Sequence, residues 1–248
     1  MADEQEPASG VQPPETGGGG TMHIHKPKRL HGVREFLKEY AIVVVGVLTA
    51  LGAEQAVEQL HWAREVRSAR AALGVEMSHS NLHLAYRVAA EPCIARRLDA
   101  LESVIEKTAK REPVPRLGAV IPDIGNALND NVWANYRAAQ TLTHFDDNEQ
   151  RQFSAYYLQI NSLRQFVGDE ANSWEVLRVL QGDPSRLGPL DVAGLRIALQ
   201  HARFDNELIA SNAAHALNVS KQLHFPAEAP DAARVQLVCE PLRVPRGS

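Results

Sequence analysis

Glu76-Met77-Ser78-His79 and Glu58-Gln59-Leu60-His61 each place a carboxylate three residues before an imidazole, and His83 stands four residues after His79. On a helix such spacings share one face. Glu-x-x-His is also the ligand pair of carboxylate-rich two-metal bundles, which repeat it on a facing helix and add a Glu from each of two others. Here both copies fall on one helical stretch, and no matching copy follows downstream. A metal-binding bundle is therefore the weakest of the functional readings. These side chains are expected to form a solvated polar face, with no metal ligand, cofactor or catalytic residue assigned.

The other chemical motifs do not occur. There is no G-x-x-x-x-G-K-S/T, no G-x-S-x-G and no H-E-x-x-H. The formal net charge of −4 argues against a general nucleic-acid binder. The chain has two cysteines, Cys93 and Cys239, enough for one bridge but not for a disulfide framework. A Cys93–Cys239 bond would fasten the C-terminal tail to the rest of the protein. Two inert thiols are the alternative, because sequence does not give the Cα separation a disulfide requires.

The elements that position these residues are helical. Strand-type runs are scarce, whereas Ala, Leu, Arg, Glu and Gln dominate the middle of the chain. Residues 1–21 lack apolar periodicity and read as a disordered tail. Met22 is an alternative start. Residues 22–38 carry Lys26, Lys28, Arg29, Arg34 and Lys38, and basic side chains beside a membrane attract anionic headgroups. Membrane lipid is therefore an expected contact.

A charge-free run follows from Tyr40 to Ala53. It is uniformly apolar rather than amphipathic. Extended from Leu37 to Val57 it would reach roughly 31 Å as a helix, about the thickness of a hydrocarbon core. The expected element is a transmembrane helix at 39–57. A cleaved signal ending near Ala50-Leu51-Gly52 and a buried helix of a soluble protein are the alternatives. Five Lys or Arg precede the run between His23 and Glu39, and three follow it between Glu54 and Arg70. The positive-inside rule then places the N-terminus in the cytoplasm and the bulk of the chain in the periplasm. Gly46 and Ala50, with Thr49 and Ala53 beside them, form a small-residue face that would let a second helix approach closely. Self-association to a homodimer is one expected use of it, with lipid-facing small residues as the alternative. Glu54, Gln55 and Glu58 close the run, ending the span or meeting a partner helix.

Residues 58–225 are expected to form the bundle. A first helix carries Leu60, Val66, Ala69, Leu73, Met77, Leu84 and Val88 and is expected to stop at Glu91-Pro92. A second carries Ile94, Leu98, Leu101, Ile105 and Thr108, and the proline-rich segment after it is a break. A third spans about Ala127 to Phe145. Asp146, with Glu149 three residues on, has the form of an N-cap and capping-box pair. The fourth presents Phe153, Tyr156, Ile160, Leu163, Val167, Trp174 and Leu177. The fifth is the most regular. Val192, Leu195, Leu199, Ala202, Asn206, Ile209, Ala213, Ala216, Ser220 and Leu223 recur at alternating spacings of three and four, a strict a/d coiled-coil seam. Asn206 there either fixes register or faces a wet edge. Residues 226–248 are proline-rich and carry no clear helix. The final RVPRGS has the form of a protease-tag remnant and supports no inference.

The opening segment also resembles a known group. HIHKPKRLHGVREFLKEYAIVVVGVLTALGAEQAVEQLHW is similar to the N-terminus of uncharacterised proteobacterial single-span membrane proteins. These share an HKPK-x-x-H-G-x-R-E-F-L segment, a short apolar helix, and then A-L-x-x-E-Q-x-V-E. The match runs through Lys26–Lys28, His31-Gly32, Arg34–Leu37 and Ala50–Glu58. The resemblance implies membrane attachment and a start at Met22, and brings no activity.

Together these readings predict an all-α protein. One N-terminal transmembrane helix continues into an antiparallel bundle of about five helices. The expected role is a non-enzymatic, inner-membrane-anchored interaction or scaffold protein. Its partners would be lipid, a second copy, or another membrane or periplasmic protein, and not nucleic acid. The alternative is a small-ligand sensor ectodomain working through a partner.

Overall fold

A computed structural model of the chain describes residues 32–114, 116–122 and 128–242. The sequence calls on residues 1–21, on Met22 and on Lys26, Lys28 and Arg29 lie outside these. The protein is all-α, with no strand among the described residues. Five helices run in order: α1 (Val33–Ala109), α2 (Asn131–Ala138), α3 (Asp147–Leu177), α4 (Pro189–Gln222) and α5 (Ala232–Cys239). Short 3-10 turns at Thr141–His144, Arg178–Gln181 and Pro184–Arg186 join them. The chain divides into two compact units between Gln55 and Ala56.

In the first unit the helix starts after Gly32, whose φ of +87° suits glycine. The stretch that follows is long and apolar enough to cross a membrane. Its most apolar 18-residue window has a mean hydropathy of 1.7, and none of that window is buried within the chain. Thr49 Oγ1 donates to the Val45 carbonyl at 2.7 Å. The hydroxyl is thus satisfied inside the helix, as a lipid environment requires.

In the second unit α1, α3 and α4 build the core. Buried partners fix their directions. Asn81 meets Ser220, and Arg87 meets Asn206, so α4 runs antiparallel to α1. Glu76 meets Tyr157, and Arg87 meets Glu170, so α3 runs alongside α1 in the same sense. The apolar interior forms two clusters. One gathers Leu73, Met77, Phe153, Tyr156, Ile160, Ile209 and Ala213; the other gathers Ile94, Leu98, Leu101, Trp174, Leu195 and Leu199. All ten seam positions expected on α4 are buried.

Three expectations are corrected. The helix does not stop at Pro92 but continues to Ala109. Pro92 is exposed, while Ala90, Cys93, Ile94 and Leu98 around it are buried. A helix-interior proline costs about 3 kcal/mol, whereas each buried aliphatic side chain returns about 1.5–3 kcal/mol, so packing wins. Of the helix expected over Ala127–Phe145, Ala127 lies outside the described residues, and the rest is shortened to α2 and a 3-10 turn, with Gln140 at φ +60° breaking the ladder between them. The C-terminal segment is not helix-free. Asp231 caps α5 by accepting from the Ala233 N–H, and Val238 is buried.

The helix ends follow side-chain and backbone chemistry. The Asp146 carboxylate accepts from the Asn148 and Glu149 N–H groups, as an N-cap should. Glu149 does not complete a capping box; its carboxylate pairs with the Arg70 guanidinium at 2.6 Å. After α4 the Phe225 N–H donates to the Ser220 carbonyl and the His224 N–H to the Lys221 carbonyl, with His224 at φ +66°. This is a Schellman ending. Arg111 closes α1 in the same way at φ +57°.

Candidate functional site

Between the two apolar clusters lies a layer of buried polar side chains. Arg87 on α1 and Glu170 on α3 form an ion pair, with side chains 5% and 0% exposed. Arg87 also donates to Asn206 Oδ1 on α4 at 3.3 Å, and Asn206 Nδ2 donates to Glu91 Oε1 at 3.4 Å. Asn206 is thus buried at the edge of the layer and bridges two groups of α1. Next to it on α4, Asp205 is also buried. Burial pushes the Glu170 carboxyl above the usual carboxylate range, although Arg87 and the Trp174 indole pull it back. Burial and the neighbouring Asp169 likewise raise Asp205, against a smaller lowering by His201. On the open side of the layer, a cleft of about 240 Å³ is lined by Glu91, Asp99, Arg203, Asn206 and Glu207.

The residues singled out for metal chemistry have other partners. The Glu76 carboxylate accepts from the N–H groups of Val132 and Trp133, at 2.8 and 3.3 Å, and from the Tyr157 hydroxyl at 2.7 Å. It stabilises the start of α2, where free N–H groups and the helix dipole favour an anion. Tyr157 is driven upward by burial and by that bond to Glu76. The His79 and His83 rings stand edge to face at 5.2 Å. Burial, then His79 and Arg234, hold His83 below the usual histidine range. Glu58 accepts from Trp62 Nε1 at 3.4 Å, while His61 lies against the edge of the same indole and His144 stacks on it at 3.7 Å. No group of three or more His, Cys, Asp or Glu side chains is arranged for a metal among the described residues.

Cys93 and Cys239 are joined, with Cα atoms 4.7 Å apart and a sequence separation of 146. Cys93 sits within α1 rather than at a helix corner. The bond ties the end of α5 to it. Arg97 reinforces the attachment by donating to the carbonyls of Ala119 at 2.9 Å, Val238 at 3.4 Å and Glu240 at 3.1 Å. Burial holds this guanidinium below the usual arginine range. Arg234 lies over the Tyr86 ring at 4.5 Å.

In the first unit Gly46, Thr49, Ala50 and Ala53 are exposed on the apolar helix, as are Arg34, Lys38, Glu54 and Gln55. A methyl group added at Gly46 would meet nothing within 4 Å. The small-residue face is therefore open in the single chain. No family model, curated protein or solved structure significantly matches the chain.

Proposed function

We propose that the protein is a single-pass, inner-membrane-anchored helical protein, with its N-terminus in the cytoplasm and its bundle in the periplasm. There it serves as a non-enzymatic interaction or scaffold module. The observation that carries this reading is the uncovered apolar window of α1, whose mean hydropathy is 1.7. The basic excess before the run supports the orientation. The Cys93–Cys239 bond suits an oxidising compartment. Interaction rather than catalysis is supported by the engagement of the buried Arg87, Glu170 and Asn206 with one another.

The test combines topology with partner capture. Reporters active only in the periplasm or only in the cytoplasm are fused after Leu242 of the full chain, and the untagged chain is fractionated. Periplasmic signal with carbonate-resistant membrane association is the expected result. Cytoplasmic signal from soluble protein would overturn the reading. Crosslinking in cells should then trap a defined protein species, either a second copy or one reproducible partner. Recovery of the intact protein with lipid alone, across several mild detergents, refutes the scaffold role.

A sensor ectodomain is the second reading, favoured by the acid-lined cleft that opens on Asn206. A thermal-shift screen with small cationic metabolites separates the two. Stabilisation that disappears in Glu91→Gln supports sensing, and a screen without a hit removes it.

A further inference from the structure

The two sulfurs of the disulfide have unlike surroundings. Cys93 belongs to the buried core of α1 at 6% exposure, whereas Cys239, the last residue of α5, is partly open to solvent. Arg96 Nη2 donates to Cys93 Sγ at 3.1 Å. We propose that this bond is built for thiol exchange: a dithiol attacks Cys239 Sγ, Cys93 leaves as a thiolate held by Arg96, and the opened bond releases α5 as a strap.

The chemistry follows from those positions. A thiolate must reach the sulfur it attacks, and Cys239 is the accessible one. The electron pair of the broken S–S bond then goes to Cys93 Sγ. A guanidinium beside a sulfur favours the thiolate form, and a more acidic leaving thiol departs faster. The attacking sulfur is left in a mixed disulfide with Cys239. The second thiol of the reagent closes on the first and expels the Cys239 thiolate. The reagent is oxidised to its disulfide, and the protein gains two electrons and two protons.

Release of α5 follows from its length once the covalent tie is cut. The helix has eight residues, too few to be stable alone. The non-covalent contacts that seat it include the buried Val238 side chain, the partly buried Val235 packed on the same apolar cluster, the Arg97 bonds to two carbonyls and the contact of Arg234 with Tyr86. The proposal concerns the bundle itself and does not rest on which side of a membrane the bundle lies.

The test uses the full-length oxidised protein in mild detergent, with three readouts. Brief exposure to glutathione, acid quenching and peptide mass spectrometry should find the adduct on Cys239; an adduct on Cys93 overturns the assigned direction. Reduction by dithiothreitol, followed by maleimide gel shift, should be slower in Arg96→Gln by about threefold or more, since thiol-exchange rates change by about that factor per pKa unit. Arg96→Lys should restore the rate, and an unchanged rate in Arg96→Gln overturns the role of the cation. Trypsin should cut after Arg234 only once wild-type protein is reduced. Equal protection in both states overturns the strap.

Discussion

Replacing Arg87 by Met tests the charged layer at its centre. The substitution leaves Glu170, which is 0% exposed, without its cation. Removing one partner of a buried pair costs about 3–5 kcal/mol. The Met side chain returns about 1 kcal/mol of apolar contact in place of the guanidinium. A net loss of about 3 kcal/mol is expected at pH 8. For a domain of this size each kcal/mol moves the melting temperature by about 2–4 °C, so the shift should be roughly 6–12 °C. The stranded carboxylate can escape its penalty by taking a proton. The loss should therefore shrink as pH falls, by up to about 1.4 kcal/mol per pH unit. Arg87→Met combined with Glu170→Leu removes both charges and should recover most of the loss. The assay is circular-dichroism melting of the full chain in detergent at pH 8 and pH 5.5. A single variant that melts within about 2 °C of wild type at pH 8 would refute the reasoning, as would a double variant no better than the single.

Three further outcomes are expected. Glu170 and Asp205 bind a proton more tightly in the folded than in the unfolded chain. Their contribution to stability is therefore fully present below the ordinary carboxylate range and lost as pH rises through their folded values. On moving from pH 7.5 toward 5 the wild-type melting temperature should gain on that of Glu170→Gln, with the depressed His83 opposing the gain equally in both proteins. Gly74→Ala should destabilise despite alanine's better helix propensity, because the new methyl group would lie 2.4 Å from the Phe225 ring; overpacking costs about 1–3 kcal/mol, and adding Phe225→Leu should restore stability in the same urea titration. His224→Gly, at φ +66° after α4, should stabilise by about 1 kcal/mol, read as a higher urea midpoint.

The apolar skeleton was legible because three- and four-residue spacing survives folding unchanged. The α4 seam, the Phe153–Leu177 face of α3 and the Asp146 cap all stand where the sequence puts them. Pro92 signals a break in the sequence because local propensity carries no information about the burial on both sides of it. The end of α2 turns on one left-handed residue and the seat of α5 on contacts distant in sequence, and neither leaves a long periodic signal. The buried layer did leave one. Arg87 and Glu91 occupy the three-four pattern that runs through Leu84 and Ile94, and Glu170 occupies that of Leu163, Val167, Trp174 and Leu177. Charge at such positions ordinarily marks a solvent-facing spacer. Only the coincidence of these positions with Asn206 in one layer shows that Arg87 and Glu170 belong to the core and that Glu91 borders it. Glu76 was visible as a chemically notable acid, but its α2 partners come from more than fifty residues away.

The charged layer has a consequence for how the bundle comes apart. It interrupts apolar contact along the three long helices, and the covalent cross-link lies wholly on one side of it, in the cluster with Cys93, Leu98 and Leu199. The other cluster, around Phe153, Tyr156 and Ile209, has no such tie. Native-state hydrogen exchange resolves pieces that open separately. Amides flanking Ile209 should exchange through a partial opening, while those flanking Leu199 wait for global unfolding. The half without the cross-link yields first, so resistance to heat or pulling is set by that half, and strengthening the disulfide-linked half would leave the weakest step untouched.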